Sequence, residues 1–313
     1  MVKELVCARC GRVWDPSAIQ NRCDCGGTLL SRYDLTSVPG LASVRDRPAG
    51  MWRYTELLPL MSAPVSLGEV ATPLLFAPRL SERLGVDIFI KDESALPSGT
   101  FKARGAAVGL SRSRELGVKE VVMPSAGNAG AAWSLYAARG GMTLTVVMSK
   151  RSPKMNQTEV RAAGAVLELV DGSIADAGRR AKEIAEETGA FLAATFGEPY
   201  RVEGKKTAWL ETFDQLGDVG TMSIPRTIVT PVGGGVAAVA AGKAAEEARA
   251  VGWTSDASPR IIGVQPADCA PIVRAFERDD TEVEPWGEET TSIASGLRVP
   301  EPSEGWLVLE RTA

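Results

Sequence analysis

The chain contains no histidine in 313 residues. That absence excludes Ser-His-Asp and Cys-His nucleophile pairs, and His-ligated zinc hydrolases with them. Any proton shuttle must then be Lys, Asp, Glu, Tyr, Cys or a cofactor. Basic charge is also short: 35 Lys and Arg stand against 39 Asp and Glu, a net charge of −4. No basic patch suits nucleic acid, and no polybasic tail suits a membrane surface. No apolar run approaches the roughly 20 residues that a spanning helix needs. Residues 1–7 lack the charged-then-apolar layout of a signal peptide. These absences set the expectation of a soluble, cytoplasmic protein with reduced thiols. What is present is 44% hydrophobic and 24% charged residues, enough for two compact domains and a small appendage.

Cysteines are few but clustered. Cys7-Ala-Arg-Cys10-Gly11 is followed by Cys23-Asp-Cys25-Gly26-Gly27, so four of the five fall within nineteen positions. Two close pairs across a short loop suit a structural tetrahedral zinc with no open position. A knuckle without metal, or four cysteines that merely pack, are the other readings. Residues 1–35 are therefore set apart as a Cys-rich, zinc-ribbon-like segment. Residues 36–70 read as a Pro-, Ser- and Gly-rich linker and strap.

From residue 86 onward strands and helices alternate. Val86–Lys91 reads as a strand with an apolar centre, and Lys119–Met123, Met142–Met148 and Ala165–Val170 as further strands. Between them, Ala131–Arg139 and Gln157–Ala163 read as helices. Ile174–Thr188 has apolar residues at helical spacing and a Gly189 stop. The pattern repeats beyond residue 205 with helix Lys206–Leu216, strand Arg226–Val232, helix Ala237–Ala250 and strand Arg260–Val264. Strands separated by helices of this length predict doubly wound, mostly parallel sheets.

Three turns carry candidate chemistry. Ser98-Gly-Thr-Phe-Lys-Ala-Arg-Gly105 holds Lys102 between two glycines, directly after a strand, where α/β folds place their sites. An amine becomes useful when burial or a neighbouring cation lowers its pKa, and Arg104 lies two residues on. The bland alternative is a solvated basic turn. Gly233-Gly234-Gly235 lies between a strand and a helix, where bare backbone N–H groups can hold a phosphate. No Gly-Lys-Ser/Thr follows it, which excludes a Walker A loop. The segment does fit Gly-x-Gly-x-x-Ala through Gly233, Gly235 and Ala238. Against a dinucleotide site, the next strand ends in Gln265 rather than an acid. It reads equally as a tight strand-to-helix turn.

Ser125-Ala126-Gly127-Asn128-Ala129-Gly130 is a second small-residue turn. It either cradles a carboxylate and offers the Asn128 amide to a phenolic oxygen, or holds only itself together. Glu198–Thr207 is a dense polar run that either lines a cleft mouth or forms a solvated loop. Cys269 reads as a core residue. A reactive lysine and a glycine cradle together suit pyridoxal 5′-phosphate, an aldehyde carrying a phosphate.

In this order, the three turns resemble the fold-type II pyridoxal-phosphate enzymes. That group contains the tryptophan synthase β-subunit, threonine dehydratase and threonine synthase. Within it the chain is most similar to the threonine synthases, through the Cys pairs, Trp52–Pro59, Glu69–Leu74, Lys91–Glu93, Glu198–Thr207 and Ala294–Arg298. The resemblance implies that Lys102 carries the cofactor and shuttles protons while Phe101 packs near its ring. Val232, Gly233, Gly234, Gly235 and Val236 would hold the phosphate, and Asn128 the ring hydroxyl. Ser125, Ala126, Gly127, Asn128 and Ala129 would grip the substrate carboxylate. The implied reaction converts O-phospho-L-homoserine to L-threonine and phosphate.

The resemblance also implies a large cofactor domain over 36–103 and 198–313, a small α/β domain over 104–197, a small amino-acid substrate and a homodimer. Two departures keep alternatives open. Ala103 follows the lysine where threonine synthases often carry Asp, which is nearer the dehydratase pattern. The family also continues beyond this C-terminus with a strand whose Ser or Thr contacts the pyridine nitrogen. A threonine/serine dehydratase or other β-elimination or replacement enzyme, a non-catalytic cofactor-binding homologue, and a nicotinamide-dependent oxidoreductase are the alternatives.

Overall fold

Three short strands open the chain. β1 (Val2–Cys7) pairs antiparallel with β2 (Val13–Trp14) and β3 (Leu29–Tyr33), in the order β2-β1-β3. The structure, a computed structural model, describes residues 2–287 and 290–312. Beyond β3, α1 (Leu41–Arg45) and a 3-10 stretch over Met51–Leu57 bury Val44, Tyr54 and Leu57 in a core with the later helices. Arg45 and Arg53 both reach Asp214, at 2.6 and 2.9 Å.

β4 (Leu74–Phe76), α2 (Pro78–Leu84) and β5 (Phe89–Lys91) follow, with β4 and β5 paired antiparallel. β5 is shorter than the apolar pattern predicts. Phe89 and Ile90 are 44% and 50% exposed, because they face an open cavity rather than a packed sheet.

The central layer runs α3 (Lys102–Glu115), β6 (Glu120–Pro124), α4 (Asn128–Gly140), β7 (Thr143–Ser149), α5 (Lys154–Ala162), β8 (Val166–Val170), α6 (Ile174–Thr188) and β9 (Phe191–Leu192). The four strands form a parallel sheet in the order β8-β7-β6-β9. Alternation decides the two faces. Val121 and Met123 of β6 pack into the core that holds Val108 of α3 and Trp133 of α4. Val122 points the other way, into a cluster with Ala177, Ala181 and Ile184 of α6. The ends of α6 follow from local chemistry. Ser173 and Asp176 form a reciprocal capping box, and Gly189 closes the helix in the left-handed conformation at φ 75°.

α7 (Arg201–Leu216), β10 (Thr227–Pro231), α8 (Val236–Ala250), β11 (Arg260–Val264), α9 (Pro271–Glu277) and α10 (Gly305–Leu309) complete the chain. β10 and β11 pair in parallel. Small alanines on α8 let it lie close to α7, and both contribute to the second core. Among the described residues no helix is long and apolar enough to cross a membrane.

The polar run 198–207 is not a solvated loop: its Lys205 lines a cavity, and most of the rest is interior. It enters the first turns of α7 and is buried: Glu198, Glu203 and Lys206 are each 0% exposed. Pairing makes this tolerable. Lys206 Nζ lies 2.7 Å from Glu203 and 2.6 Å from Glu247, and Lys243 lies 2.8 Å from Glu247. Glu203 is an i, i+3 neighbour of Lys206, but Glu247 and Lys243 come from α8, about forty residues on, and local composition could not announce that half of the pairing.

Candidate functional site

α3 begins at Lys102, three residues after Gly99, whose φ of +64° makes the turn. The Lys102 Nζ sits 3.9 Å from the centroid of the Phe101 ring. Lys205, from α7, places its Nζ 4.9 Å from the same centroid. Among the described residues, neither amine has a hydrogen-bond acceptor or a carboxylate partner. Burial, and then the charge of Arg201, bring the Lys102 ammonium down to about 8. Burial, then Lys102 and Arg201, push Lys205 well below its ordinary value. A substantial neutral fraction of a primary amine is therefore available near physiological pH.

Arg104 is not the cation that acts on Lys102. Once the segment is helical, residues two apart point about 200° from each other around the axis. Arg104 instead turns into the interior and binds Glu93, Glu211, Thr72 and Thr207. Gly105 likewise serves packing rather than the turn. A Cβ there would lie 3.2 Å from the Arg201 backbone, and one at Gly204 would lie 2.0 Å from the Arg104 carbonyl. This close crossing of α3 and α7 brings Arg201 and Lys205 to Lys102. Sequence reasoning missed both residues. The signal was present in their i, i+4 spacing, with Gly204 between them among charges.

The glycine triplet joins β10 to α8. Val232 is buried and its N–H donates to Val264. A Cβ on Gly233 would meet the Gly296 carbonyl at 3.0 Å, and one on Gly234 would meet Thr195 Cγ2 at 3.1 Å. Gly235 sits at φ +84°, and a Cβ there would lie 2.1 Å from Val308 Cγ2. The first N–H groups of α8 have no intrahelical acceptor, which leaves them available to an anion. Gly235→Ala is expected to cost about 2–4 kcal/mol, from a left-handed alanine and a branched neighbour that must move. A urea midpoint unchanged from the parent chain would overturn that account of the turn.

The third turn is held from within. Ser125 Oγ accepts from the N–H groups of Gly127 and Gly130 at 3.0 and 2.8 Å and donates to the Gly127 carbonyl. Gly127 needs its φ of +155° there. Asn128 heads α4, exposed, and its Oδ1 accepts from Asn156 at 3.1 Å. Ser125 and Ala126 line a cavity of about 440 Å3 together with Ser152, Ser173, Thr290 and Arg298.

The turns share surroundings. Phe101 and Lys205 line a cavity of about 510 Å3 with Thr230, Pro231 and Ala237, which flank the triplet. Thr195 touches Gly234 and also accepts from Arg201 at 3.3 Å. Gly296, against Gly233, lies between Ser295 and Arg298 of the Ser125 cleft. Cys7, Cys10, Cys23 and Cys25 converge elsewhere, their Sγ atoms all within 4.8 Å. Cys269 is fully buried, and burial pushes its thiol up.

Residues 65–312 match the profile described as "Pyridoxal-phosphate dependent enzyme". The threonine synthase of Methanocaldococcus jannaschii is 34% identical over 303 residues, 95% of this chain and 73% of that protein. The threonine synthase of Methanosarcina acetivorans is 30% identical over 302 residues, with the same shares. Among solved structures, the processed form of threonine deaminase isoform 2 from Solanum lycopersicum superposes with a TM-score of 0.64 at 26% identity. It covers 85% of this chain and 75% of its own. Family profile, relatives and fold agree: the chain belongs to the fold-type II pyridoxal-phosphate dependent enzymes, on their threonine synthase-like branch, and is a lyase that uses that cofactor.

Proposed function

We propose that the chain converts O-phospho-L-homoserine and water to L-threonine and phosphate, with Lys102 as its catalytic residue. The observation that carries this reading is the unpaired Lys102 amine, brought down to about 8 beside the Phe101 ring. The residues present fit the cofactor: a primary amine with no partner among the described residues, and a three-glycine cradle that any Cβ would fill. The threonine synthases that match 95% of the chain support the substrate.

In this reading Gly233–Val236 offer backbone N–H groups to the cofactor phosphate, Val232, whose own N–H donates to Val264, anchors them to the sheet, and Phe101 fixes the orientation of Lys102. The Asn128 amide would hold the cofactor hydroxyl, and the N–H groups of the Ser125–Ala129 turn not already bonded to Val147 or Ser125 would receive the substrate carboxylate. Bound pyridoxal phosphate supplies an electron sink for negative charge at substrate carbon. Lys102 Nζ takes and returns protons along the substrate chain, which an amine near pH 8 can do in both directions. Residues 104–197 form the smaller domain, 36–103 with 198–313 the larger, and 1–35 a Cys-rich knuckle packed against both.

The threonine deaminase likeness favours a second reading, elimination from threonine to 2-oxobutanoate. Phosphate release from phosphohomoserine and 2-oxo acid release from threonine, measured side by side, separate the two. The expected result is phosphate release with threonine as product. A 2-oxo acid from threonine at the higher kcat/KM sinks the synthase reading in favour of the deaminase one.

A further inference from the structure

The four clustered cysteines take no part in the chemistry above, yet they are built as a site. All four thiols are free, two of them buried and two exposed. Neighbouring Sγ atoms lie 3.5 Å apart for Cys7–Cys25, 3.6 Å for Cys10–Cys23 and 3.5 Å for Cys25–Cys10. Sulfurs about 2.3 Å from a central zinc, in a tetrahedron, lie about 3.8 Å from one another. These three separations are thus within a few tenths of an ångström of a zinc tetrahedron, and all four sulfurs lie within 4.8 Å of one another.

The two halves of the site have similar backbones despite their unequal spacing. In each, a glycine directly after the second cysteine turns left-handed, Gly11 at φ +73° and Gly26 at φ +82°. In each, that glycine's N–H returns to the carbonyl of the first cysteine: Gly11 to Cys7 at 3.0 Å, and Gly26 to Cys23 at 2.8 Å. The shorter second pair simply closes a tighter turn. Gly27 keeps the middle clear, since a Cβ there would lie 2.7 Å from Cys7 Sγ and 3.4 Å from Cys25 Sγ. Four thiolates around Zn2+ would carry a net charge of −2, and the arginines of the two turns and the loop between them have partners of their own. Arg12 is held by Asp24, Arg22 reaches the Gly26 carbonyl, and Arg9 lies over Trp306.

The loop between the pairs reaches the glycine triplet from two sides. Asn21 Nδ2 donates to the carbonyls of Leu192 and Gly197, at 2.7 and 2.8 Å. Those residues bracket Thr195, which rests on Gly234. Arg22 pairs with Glu304 at 2.5 Å, at the head of α10. Val308 of α10 is the side chain that abuts Gly235.

We propose that Cys7, Cys10, Cys23 and Cys25 bind one structural Zn2+, and that the loop it closes braces the glycine triplet. The bracing half rests on the cofactor site proposed above; the metal half does not.

The full chain, purified without chelator, is assayed for zinc and iron per chain and for thiol reactivity. Cobalt(II) is then titrated into the demetallated protein, and Cys10→Ser/Cys25→Ser is compared with the parent. About one zinc per chain is expected, near zero in the double variant, with a tetrahedral thiolate spectrum on adding cobalt. Because cobalt is read in the parent chain, a variant that fails to fold does not remove the test. Zinc absent after purification, with no thiolate spectrum from cobalt, overturns the site. Iron in its place overturns the choice of metal. Pyridoxal phosphate affinity, read by fluorescence on zinc-loaded and demetallated chains, is expected to fall at least about fivefold on metal loss. Equal affinities overturn the bracing while leaving the metal site. A chain that binds zinc but no cofactor overturns the cofactor reading instead.

Discussion

Lys102→Ala is expected to lose covalent capture of pyridoxal phosphate and to lower turnover by about 10^3-fold or more. In the proposed reading Lys102 carries the attacking amine, which leaves the start of α3 over the Phe101 ring. Lys205 approaches the same ring from α7, so it is the natural control. After borohydride reduction and digestion, the mass of one cofactor is expected on the peptide that holds Lys102. It is absent in Lys102→Ala and retained in Lys205→Ala. Lys102→Arg is expected to fail as fully as alanine, because a guanidinium stays charged and is no nucleophile. Label found at Lys205 in the parent chain would move the role to that residue.

The pH dependence has a definite sign. Only the neutral amine attacks an aldehyde, and below about 8 Lys102 is mostly charged. The rate of cofactor capture is therefore expected to rise with pH and level off above about 8. A solvated lysine, near 10.4, would keep the rate rising for two further pH units. A rate that climbs unbroken to pH 10 would show that burial and Arg201 do not act on this amine.

What the sequence revealed is what short-range chemistry decides. The limits of α6 were legible because Ser173 and Gly189 end the helix through their own backbone neighbours. The Lys102 turn and the glycine triplet were legible because each lies at a strand-to-helix junction, which periodicity locates. The interior charge was not. Charges at positions 198–207 look solvated in isolation, since unpaired charges are rarely buried. Part of the pairing is local, but the partners that Lys206 and Glu203 find in Glu247 and Lys243 lie about forty residues on. The role given to Arg104 failed for a related reason. A turn leaves Lys102 and Arg104 side by side, whereas a helix sends them to opposite sides, and only the α3–α7 crossing at Gly105 and Gly204 shows which holds.

That opposition carries the other large effect. Arg104→Met is expected to cost about 3–5 kcal/mol, a large share of a typical 5–15 kcal/mol stability. Arg104 is 0% exposed, and its guanidinium is fully committed. Nε donates to Glu93 at 2.6 Å, Nη1 to Glu211 at 2.7 Å and Thr207 at 2.9 Å, and Nη2 to Glu93, Glu211 and Thr72 at 2.8–3.0 Å. Lys91 adds a second cation 3.1 Å from Glu211, so two acids face two bases. Burial pushes the Glu211 carboxyl up, but the bonds and charge of Arg104 outweigh it and hold that group below its usual range. Methionine fills most of the space and answers none of the charge. Arg104→Lys is expected to recover only part of the loss, because one ammonium cannot span both carboxylates. Arg104→Met/Glu211→Leu is expected to regain part of the stability over the single variant, since one acid, Glu93, and one base, Lys91, then remain in place of two acids and one base. Urea unfolding checks all three, and a loss below about 1 kcal/mol for Arg104→Met would mean water or Lys91 already satisfies the acids. Two basic residues two positions apart are thus expected to separate cleanly: Lys102→Ala forfeits cofactor capture while the fold keeps its stability, and Arg104→Met forfeits stability while whatever remains folded still captures the cofactor.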